Sequence, residues 1–130
     1  MIILDTHIWV WWVGENSELT KEYKDLIHSM QPDGIGISSI SCWEIALLHA
    51  RQKLSLSEPV LRWLEISLSL PNIILLPLSP RIAVEANNLP DNFHKDPADR
   101  LIVATARVYD CPLITYDSKI LDHPHVQHLP

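Results

Sequence analysis

The chain has 130 residues, of which 47% are hydrophobic and 20% charged, and its formal net charge at pH 7 is −6. This length and composition are typical of one globular domain spanning residues 1–130, and they exclude a disordered chain. No apolar stretch is long enough to span a bilayer and no signal peptide is recognisable, so we expect a cytoplasmic protein without a membrane anchor. Two cysteines, Cys42 and Cys111, are too few for a disulfide framework, and we expect reduced, buried thiols.

The negative charge argues against nucleic-acid binding by simple electrostatic attraction. That objection weakens if several of the acids surround a metal ion, because a bound cation inverts the local sign of charge. A basic strip would still be needed elsewhere, and Arg51, Lys53 and Arg62 are the candidates. Taken singly, each of these residues is more simply interpreted as part of a solvated helix face.

Short apolar runs and segments with helical periodicity alternate along the chain. In chain order, the pattern predicts a strand at 1–4, helices at 6–13 and 20–30, a strand at 34–38, helices at 41–52 and 59–68, a strand at 73–76, helices at 79–88 and 97–110, a strand at 112–115, and a weakly supported strand at 126–129. This alternation predicts an α/β fold with three layers, in which a parallel sheet of four to five strands lies between helices.

Four carboxylates stand at the edges of these apolar runs. Asp5 and Asp117 directly follow predicted strands, and Glu44 and Asp99 lie in the first turns of predicted helices. Ligands of parallel sheets bind beyond the carboxyl ends of the strands, so the four acids are able to meet there. Gathered together, they would repel one another unless a divalent cation lies among them.

Each acid also has a purely structural explanation. Glu44 follows Ser41 at the spacing of a capping box, and Asp117 is placed as in a turn. Asp99 complements a helix dipole, and Asp96 before Pro97 is best interpreted as a helix N-cap. Singly, the structural interpretation is favoured for Glu44, Asp96 and Asp117, whereas Asp5, after a buried strand, needs a polar partner. The functional interpretation becomes stronger than this only when the acids are considered together at one edge of the sheet.

Four segments carry a family resemblance, in the order 2–7, 37–45, 94–106 and 113–117. The set resembles the PIN-domain nucleases, especially the VapC-type toxins of bacterial toxin–antitoxin pairs. The resemblance implies a strand order of 3-2-1-4-5 and a Mg²⁺- or Mn²⁺-dependent endoribonuclease. It also implies an RNA substrate, a cognate antitoxin and a homodimer.

Carried over residue by residue, the resemblance implies a catalytic and metal-binding site of Asp5, Glu44, Asp99 and Asp117. It adds Thr6 and Ser118 as supporting positions, and Asp96 as an extra acid of uncertain role. Mg²⁺ prefers carboxylate oxygens and keeps several waters, so a few acids suffice to bind it. We expect Asp5 and Asp99 as direct ligands, with Glu44 and Asp117 binding directly or through water.

Aromatic residues and histidines give weaker signals. Trp9, Trp11 and Trp12 cannot all face one core from one helix, so we expect a second copy or a partner to cover at least one, with RNA stacking as a lesser alternative. Trp43 and Trp63 are more simply core residues. His7 and His94 lie near the acids and could contact phosphate, although a local hydrogen bond explains either equally well. The C-terminal histidines, His123, His125 and His128, are interpreted as a solvated tail.

Two other functions remain open at this point. A receiver-like phosphoacceptor domain would also need acids at a sheet edge. Against it, Asp5 has no paired neighbouring acid, and no lysine follows the last strands at a suitable place, Lys119 being the nearest. A catalytically silent PIN-like module would bind RNA or protein without cleavage, and the intact set of acids weighs against it.

Overall fold

A parallel sheet flanked by helices forms the framework of the protein. The computed structural model describes residues 1–90, 93 and 96–121, except for the side chains of Ser118 and Lys119. The elements are β1 (Ile2–Leu4), α1 (Thr6–Val13), α2 (Lys21–Met30), a 3₁₀ turn (Gln31–Asp33), β2 (Ile35–Ser38), α3 (Ser39–Ala50), α4 (Val60–Leu68), β3 (Ile73–Leu76), α5 (Pro80–Ala86), α6 (Pro97–Tyr109), β4 (Leu113–Ile114) and α7 (Ser118–Leu121).

The four strands are parallel and lie in the order β3-β2-β1-β4. In the register, Ile3 pairs with Gly36 on one side and with Leu113 on the other. This arrangement confirms the predicted parallel sheet and the 3-2-1-4 part of the predicted order. The fifth strand predicted at 126–129 lies outside the described residues.

Alternation along β1 divides the core between the two faces of the sheet. Ile2 and Leu4 belong to one apolar cluster and Ile3 to another, because successive side chains of a strand point to opposite faces. Trp9 of α1 and Trp63 of α4 pack in the first cluster with ring centroids 5.2 Å apart. In the second cluster, Ile102, Val103 and Ala106 of α6 pack on the other face of the sheet. Helices therefore cover both faces, as the three-layer prediction requires.

Three local predictions are wrong. α3 begins at Ser39 because the hydroxyl of Ser38 accepts a hydrogen bond from the Ile40 N–H at 3.3 Å, so the Ser41–Glu44 capping box does not form. Glu44 consequently lies in the second turn of α3 rather than the first. Asp117 begins a turn, as predicted, because its carbonyl accepts from the Ile120 N–H at 3.0 Å, and this turn continues into α7.

The second wrong prediction concerns a tryptophan. Trp43 is 56% exposed and is not a core residue, whereas Trp63 is 6% exposed, as predicted. The third concerns the cysteines, which are free but only half-buried rather than buried. None of the helices in the described part of the chain combines the length and apolarity needed to cross a membrane.

Gly36 provides a direct test of the packing in this sheet. A Cβ at this position would lie 2.8 Å from Leu76 Cδ1 and 3.1 Å from Ile3 Cγ1, inside a closely packed core. We therefore expect Gly36→Ala to lower the free energy of unfolding by about 1–3 kcal/mol. Urea denaturation followed by tryptophan fluorescence measures this change.

Gly14→Ala is the matched control, because Gly14 is exposed and its φ of −83° suits any residue. We expect a small change in its unfolding free energy. Equal destabilisation by the two substitutions would contradict the close packing of β2 against β1 and β3.

Candidate active site

One cleft contains all four of the acids singled out in the sequence. It has a volume of about 540 Å³ and opens beyond the carboxyl ends of β1 and β4. The described residues that line it are Asp5, His7, Ile8, Trp11, Glu44, Asp96, Asp99, Tyr116 and Asp117. The cleft forms at this edge because β1 and β4 are adjacent parallel strands and α3 and α6 bring their acids to the same place.

Asp5 is held at the junction of β1 and α1. Its backbone N–H donates to the Ile114 carbonyl of β4 at 3.0 Å. Its Oδ1 accepts from the Thr6 N–H at 2.8 Å, which caps α1, and its Oδ2 accepts from the Thr115 hydroxyl at 2.6 Å. The side chain is thus oriented by two donors while it still lines the cleft.

Burial raises the pKa of Asp5, and the hydrogen bonds from Thr115 and Thr6 only partly oppose this rise. His7 also favours the charged carboxylate, whereas Asp117 repels it and raises the pKa further.

Glu44 approaches the cleft from the second turn of α3. Its side chain is half-buried, and burial raises its pKa. A hydrogen bond with Thr6 opposes the rise, and the charges of Asp5 and Asp96 add to it. Thr6 therefore contacts two acids, because its N–H donates to Asp5 while its hydroxyl is hydrogen-bonded with Glu44. The same hydroxyl is hydrogen-bonded to the buried Ser41 hydroxyl at 2.9 Å.

Asp99 is repelled by every other acid of the cleft. It is the third residue of α6 and is half-buried. Burial, followed by repulsion from Asp96, Asp5, Asp117 and Glu44, raises its pKa from 3.8 to about 7. These four acids therefore lie close enough to influence the carboxyl group of Asp99.

Asp96 has two roles in the structure. Its Oδ1 accepts from the Asp99 N–H at 3.1 Å, which confirms the N-cap predicted before Pro97. Its carboxylate also forms a compact cluster with those of Glu44 and Asp99, in which one oxygen from each lies within 4.8 Å of the others. The sequence favours a structural role for Asp96, yet its carboxylate belongs to this cluster with Glu44 and Asp99.

Thr115 was overlooked in the sequence. Its hydroxyl donates to Asp5, and it accepts from the backbone N–H of Asp117 at 3.0 Å, so it links two acids across the end of β4. The signal was a threonine at the end of an apolar run, directly before the acid-bearing segment. Ser118, the other predicted supporting residue, has a side chain outside the described part of the structure, as does the whole of His94.

The composition of the cleft fits a divalent cation. Five carboxylates face it, and among the described lining residues His7 is the sole basic side chain. Oxygen-rich sites of high negative charge suit Mg²⁺ or Mn²⁺, and Glu44, Asp96 and Asp99 are spaced to provide several ligands. A dication would relieve the repulsion that raises the pKa of Asp99.

The proposed basic strip does not reach this cleft. Arg51, Lys53 and Arg62 are exposed and are absent from its described lining. Arg62 lies 3.5 Å from Glu58 in an i,i+4 pair, as on an ordinary solvated helix face. The structural interpretation of these three residues is therefore favoured.

The raised pKa of Asp99 predicts how the stability of the metal-free protein depends on pH. The folded state binds a proton to Asp99 more tightly than the unfolded state, so stability is present at low pH and is lost as pH rises from about 4 to about 7. In EDTA, we expect the wild type to lose more stability between pH 5 and pH 8 than Asp99→Asn. Urea midpoints at the two pH values test this difference.

The control for this measurement is Asp33→Asn, which replaces an exposed acid outside the described lining of the cleft. This variant should retain the pH dependence of the wild type. Parallel curves for the wild type and Asp99→Asn would show that Asp99 is not crowded by other acids.

Comparisons with known proteins identify relatives of this chain. The family model described as the PIN domain matches residues 2–126. Ribonuclease VapC22 of Mycobacterium tuberculosis is 33% identical over 124 residues, which cover 95% of this chain and 92% of that protein.

Solved structures resemble this chain over nearly its whole length. One is VapBC2 from Rickettsia felis bound to a promoter DNA fragment, with a TM-score of 0.73 at 21% identity, covering 99% of this chain and 98% of that one. Another is FitAcB from Neisseria gonorrhoeae, with a TM-score of 0.68 at 20% identity, covering 100% of this chain and 97% of that one. The family match, the relative and the shared fold agree, and the chain belongs to the PIN domain family.

Proposed function

We propose that this protein is a metal-dependent ribonuclease that hydrolyses phosphodiester bonds of RNA and acts as the toxin of a toxin–antitoxin pair. The observation that carries the proposal is the cleft in which five carboxylates converge, where burial and the four other acids raise the pKa of Asp99 to about 7. Membership of the PIN domain family and 33% identity to a relative named as a ribonuclease support RNA as the substrate.

The proposed catalytic and metal-binding residues are Asp5, Glu44, Asp99 and Asp117, with Asp96 beside them. When bound in such a site, Mg²⁺ or Mn²⁺ activates water and neutralises charge on the phosphoryl oxygens. Glu44, Asp96 and Asp99 would hold the ion, because their oxygens form the most compact cluster. Asp5 and Asp117 supply further negative charge at the same place.

The hydroxyl groups around the acids would hold these positions. Thr6 contacts both Asp5 and Glu44, and Thr115 joins Asp5 to the backbone of Asp117. Both threonines are at most 1% exposed, so water does not compete for their hydrogen bonds. The acids are thereby oriented before substrate arrives, which is the condition for efficient metal-assisted hydrolysis. Ser118 remains a proposed supporting residue on the family resemblance alone.

The proposal extends to partners and compartment. The similar solved structures include a toxin–antitoxin complex from Klebsiella pneumoniae, which supports a cognate antitoxin for this chain. Trp11 and Trp12 are each only half-buried, whereas Trp9 is fully buried, so surface remains on α1 for a partner or a second copy. A homodimer in the cytoplasm remains part of the proposal.

Cleavage of RNA is the direct test. We expect the wild type to cut a pool of single-stranded RNA in Mg²⁺ or Mn²⁺ and to stop when EDTA is added. Asp99→Asn should reduce the rate by at least about 100-fold, because the amide keeps the shape of the carboxylate but loses its charge. Gel analysis of end-labelled RNA measures the rate, and Asp33→Asn is the control that should retain activity.

Other outcomes of that experiment would favour other functions. Binding of RNA without cleavage by the wild type would indicate a silent module. Uptake of a phosphoryl group from a small donor such as acetyl phosphate would indicate a phosphoacceptor. Undiminished cleavage in EDTA would rule out the metal-dependent mechanism.

Metal binding should also be visible without RNA. At about ten times its Kd, Mg²⁺ or Mn²⁺ should raise the Tm of the wild type by roughly 5 °C, because the ion binds only the folded cluster of acids. Glu44→Gln and Asp99→Asn should show a smaller rise. Scanning calorimetry in EDTA and in each metal tests this, and a Tm that ignores both ions would contradict a shared metal site.

A further inference from the structure

The wall of the cleft beside the acids is aromatic. His7 and Trp11 are one turn apart on α1, with ring centroids separated by 5.8 Å. Tyr116 directly precedes Asp117, and its ring centroid lies 5.8 Å from that of Trp11. Trp11 and Tyr116 both line the cleft while also packing against the apolar core. We call Trp11 and Tyr116 the aromatic wall.

The aromatic wall is held in a fixed position. The Tyr116 hydroxyl accepts a hydrogen bond from the Thr20 backbone N–H at 3.2 Å and lies 3.3 Å from the Thr20 hydroxyl. Tyr23 and Tyr116 pack edge to face, with ring centroids 4.7 Å apart and planes at 86°. A ring held at both its hydroxyl and its face-to-edge contact loses little entropy when a ligand binds.

The charges in the cleft define what kind of contact its substrate needs. Five carboxylates repel phosphate groups, and the described lining holds no lysine or arginine to attract them. Stacking of a nucleobase on an aromatic ring would add an attraction that does not depend on charge.

We propose that Trp11 and Tyr116 form a stacking surface for a nucleobase of single-stranded RNA beside the bond that is cut. This inference rests on the proposed ribonuclease function and names residues that position its substrate. Single-stranded RNA is the substrate because a base inside a duplex does not expose a face to a protein ring. Since every base has such a face, the wall favours unpaired RNA without selecting one base.

The test compares ring removal with ring retention. Trp11→Leu and Tyr116→Leu should each raise KM for a single-stranded oligonucleotide by about 10-fold, with a smaller change in kcat, because stacking contributes mainly to binding. Tyr116→Phe should raise KM less than Tyr116→Leu, since it keeps the ring and loses only the bonds to Thr20. Trp11→Phe should fall between Trp11→Leu and the wild type.

Matched controls lie elsewhere on the surface. Trp43 is 56% exposed and Tyr109 is 41% exposed, and neither belongs to the described lining of the cleft. Trp43→Leu and Tyr109→Leu should retain the wild-type KM. Thermal melts of all variants identify any rise in KM that comes from unfolding.

An abasic substrate separates stacking from other effects of the substitutions. A series of oligonucleotides is prepared from one that the wild type cuts, and each carries a single abasic nucleotide at a different position. An abasic nucleotide at one position next to the cut should raise the KM of the wild type. The same nucleotide should have little effect on the KM of the Leu variants, because their stacking is already lost.

The outcomes distinguish this inference from the proposed function. If the wild type cuts RNA but the Leu variants keep its KM, the stacking surface is wrong while the ribonuclease stands. Equal effects of Tyr116→Phe and Tyr116→Leu would also overturn it, since the hydroxyl rather than the ring would matter. Absence of cleavage by the wild type would overturn the proposed function itself.

Discussion

Electrostatic repulsion among carboxylates at one edge of the sheet is the constraint that shapes this protein's cleft. Burial and four neighbouring acids raise the pKa of Asp99 to about 7, which measures how unfavourable the arrangement is without a counter-charge. The apolar strands and helices provide the free energy that holds these groups together. β1 is entirely buried, and it fixes Asp5 at its end. A bound dication would offset the repulsion among these carboxylates.

Buried hydroxyl groups hold the side chains at this edge of the sheet in defined positions. Thr6, Ser41 and Thr115 are each at most 1% exposed, and each is hydrogen-bonded within the site. Because they connect β1, α3 and β4, they hold together elements that are far apart in the chain. A buried hydroxyl without a partner would destabilise the fold, so the same bonds that satisfy these groups also orient the acids.

The lining of the cleft combines two chemically different groups of side chains. The carboxylates suit a cation and the phosphate it would bind, and the aromatic wall beside them suits the flat face of a base. A bound cation and a stacking surface would together allow a chain with a net charge of −6 to bind the proposed RNA substrate.

The sequence by itself determined the class of fold and the positions at which acids follow strands. Apolar runs and helical patterns are local properties, so β3 at Ile73–Leu76 and α1 at Thr6–Val13 agree with their predicted bounds. Capping is also local, and Asp96 before Pro97 was recognised for that reason. Strand order and the PIN family followed from resemblance rather than from these patterns.

Tertiary structure alone decided which side chains meet. Ser38 displaced the predicted cap of α3, which moved Glu44 into the second turn, and Trp43 proved to be exposed. Thr115 contacts Asp5 across 110 residues of sequence, and the closeness of Asp96 to Glu44 depends on how α3 and α6 pack. No local pattern encodes such contacts, because they depend on how separate elements dock. The pKa of a group such as Asp99 is raised only when charges that are distant in sequence are brought together and removed from water.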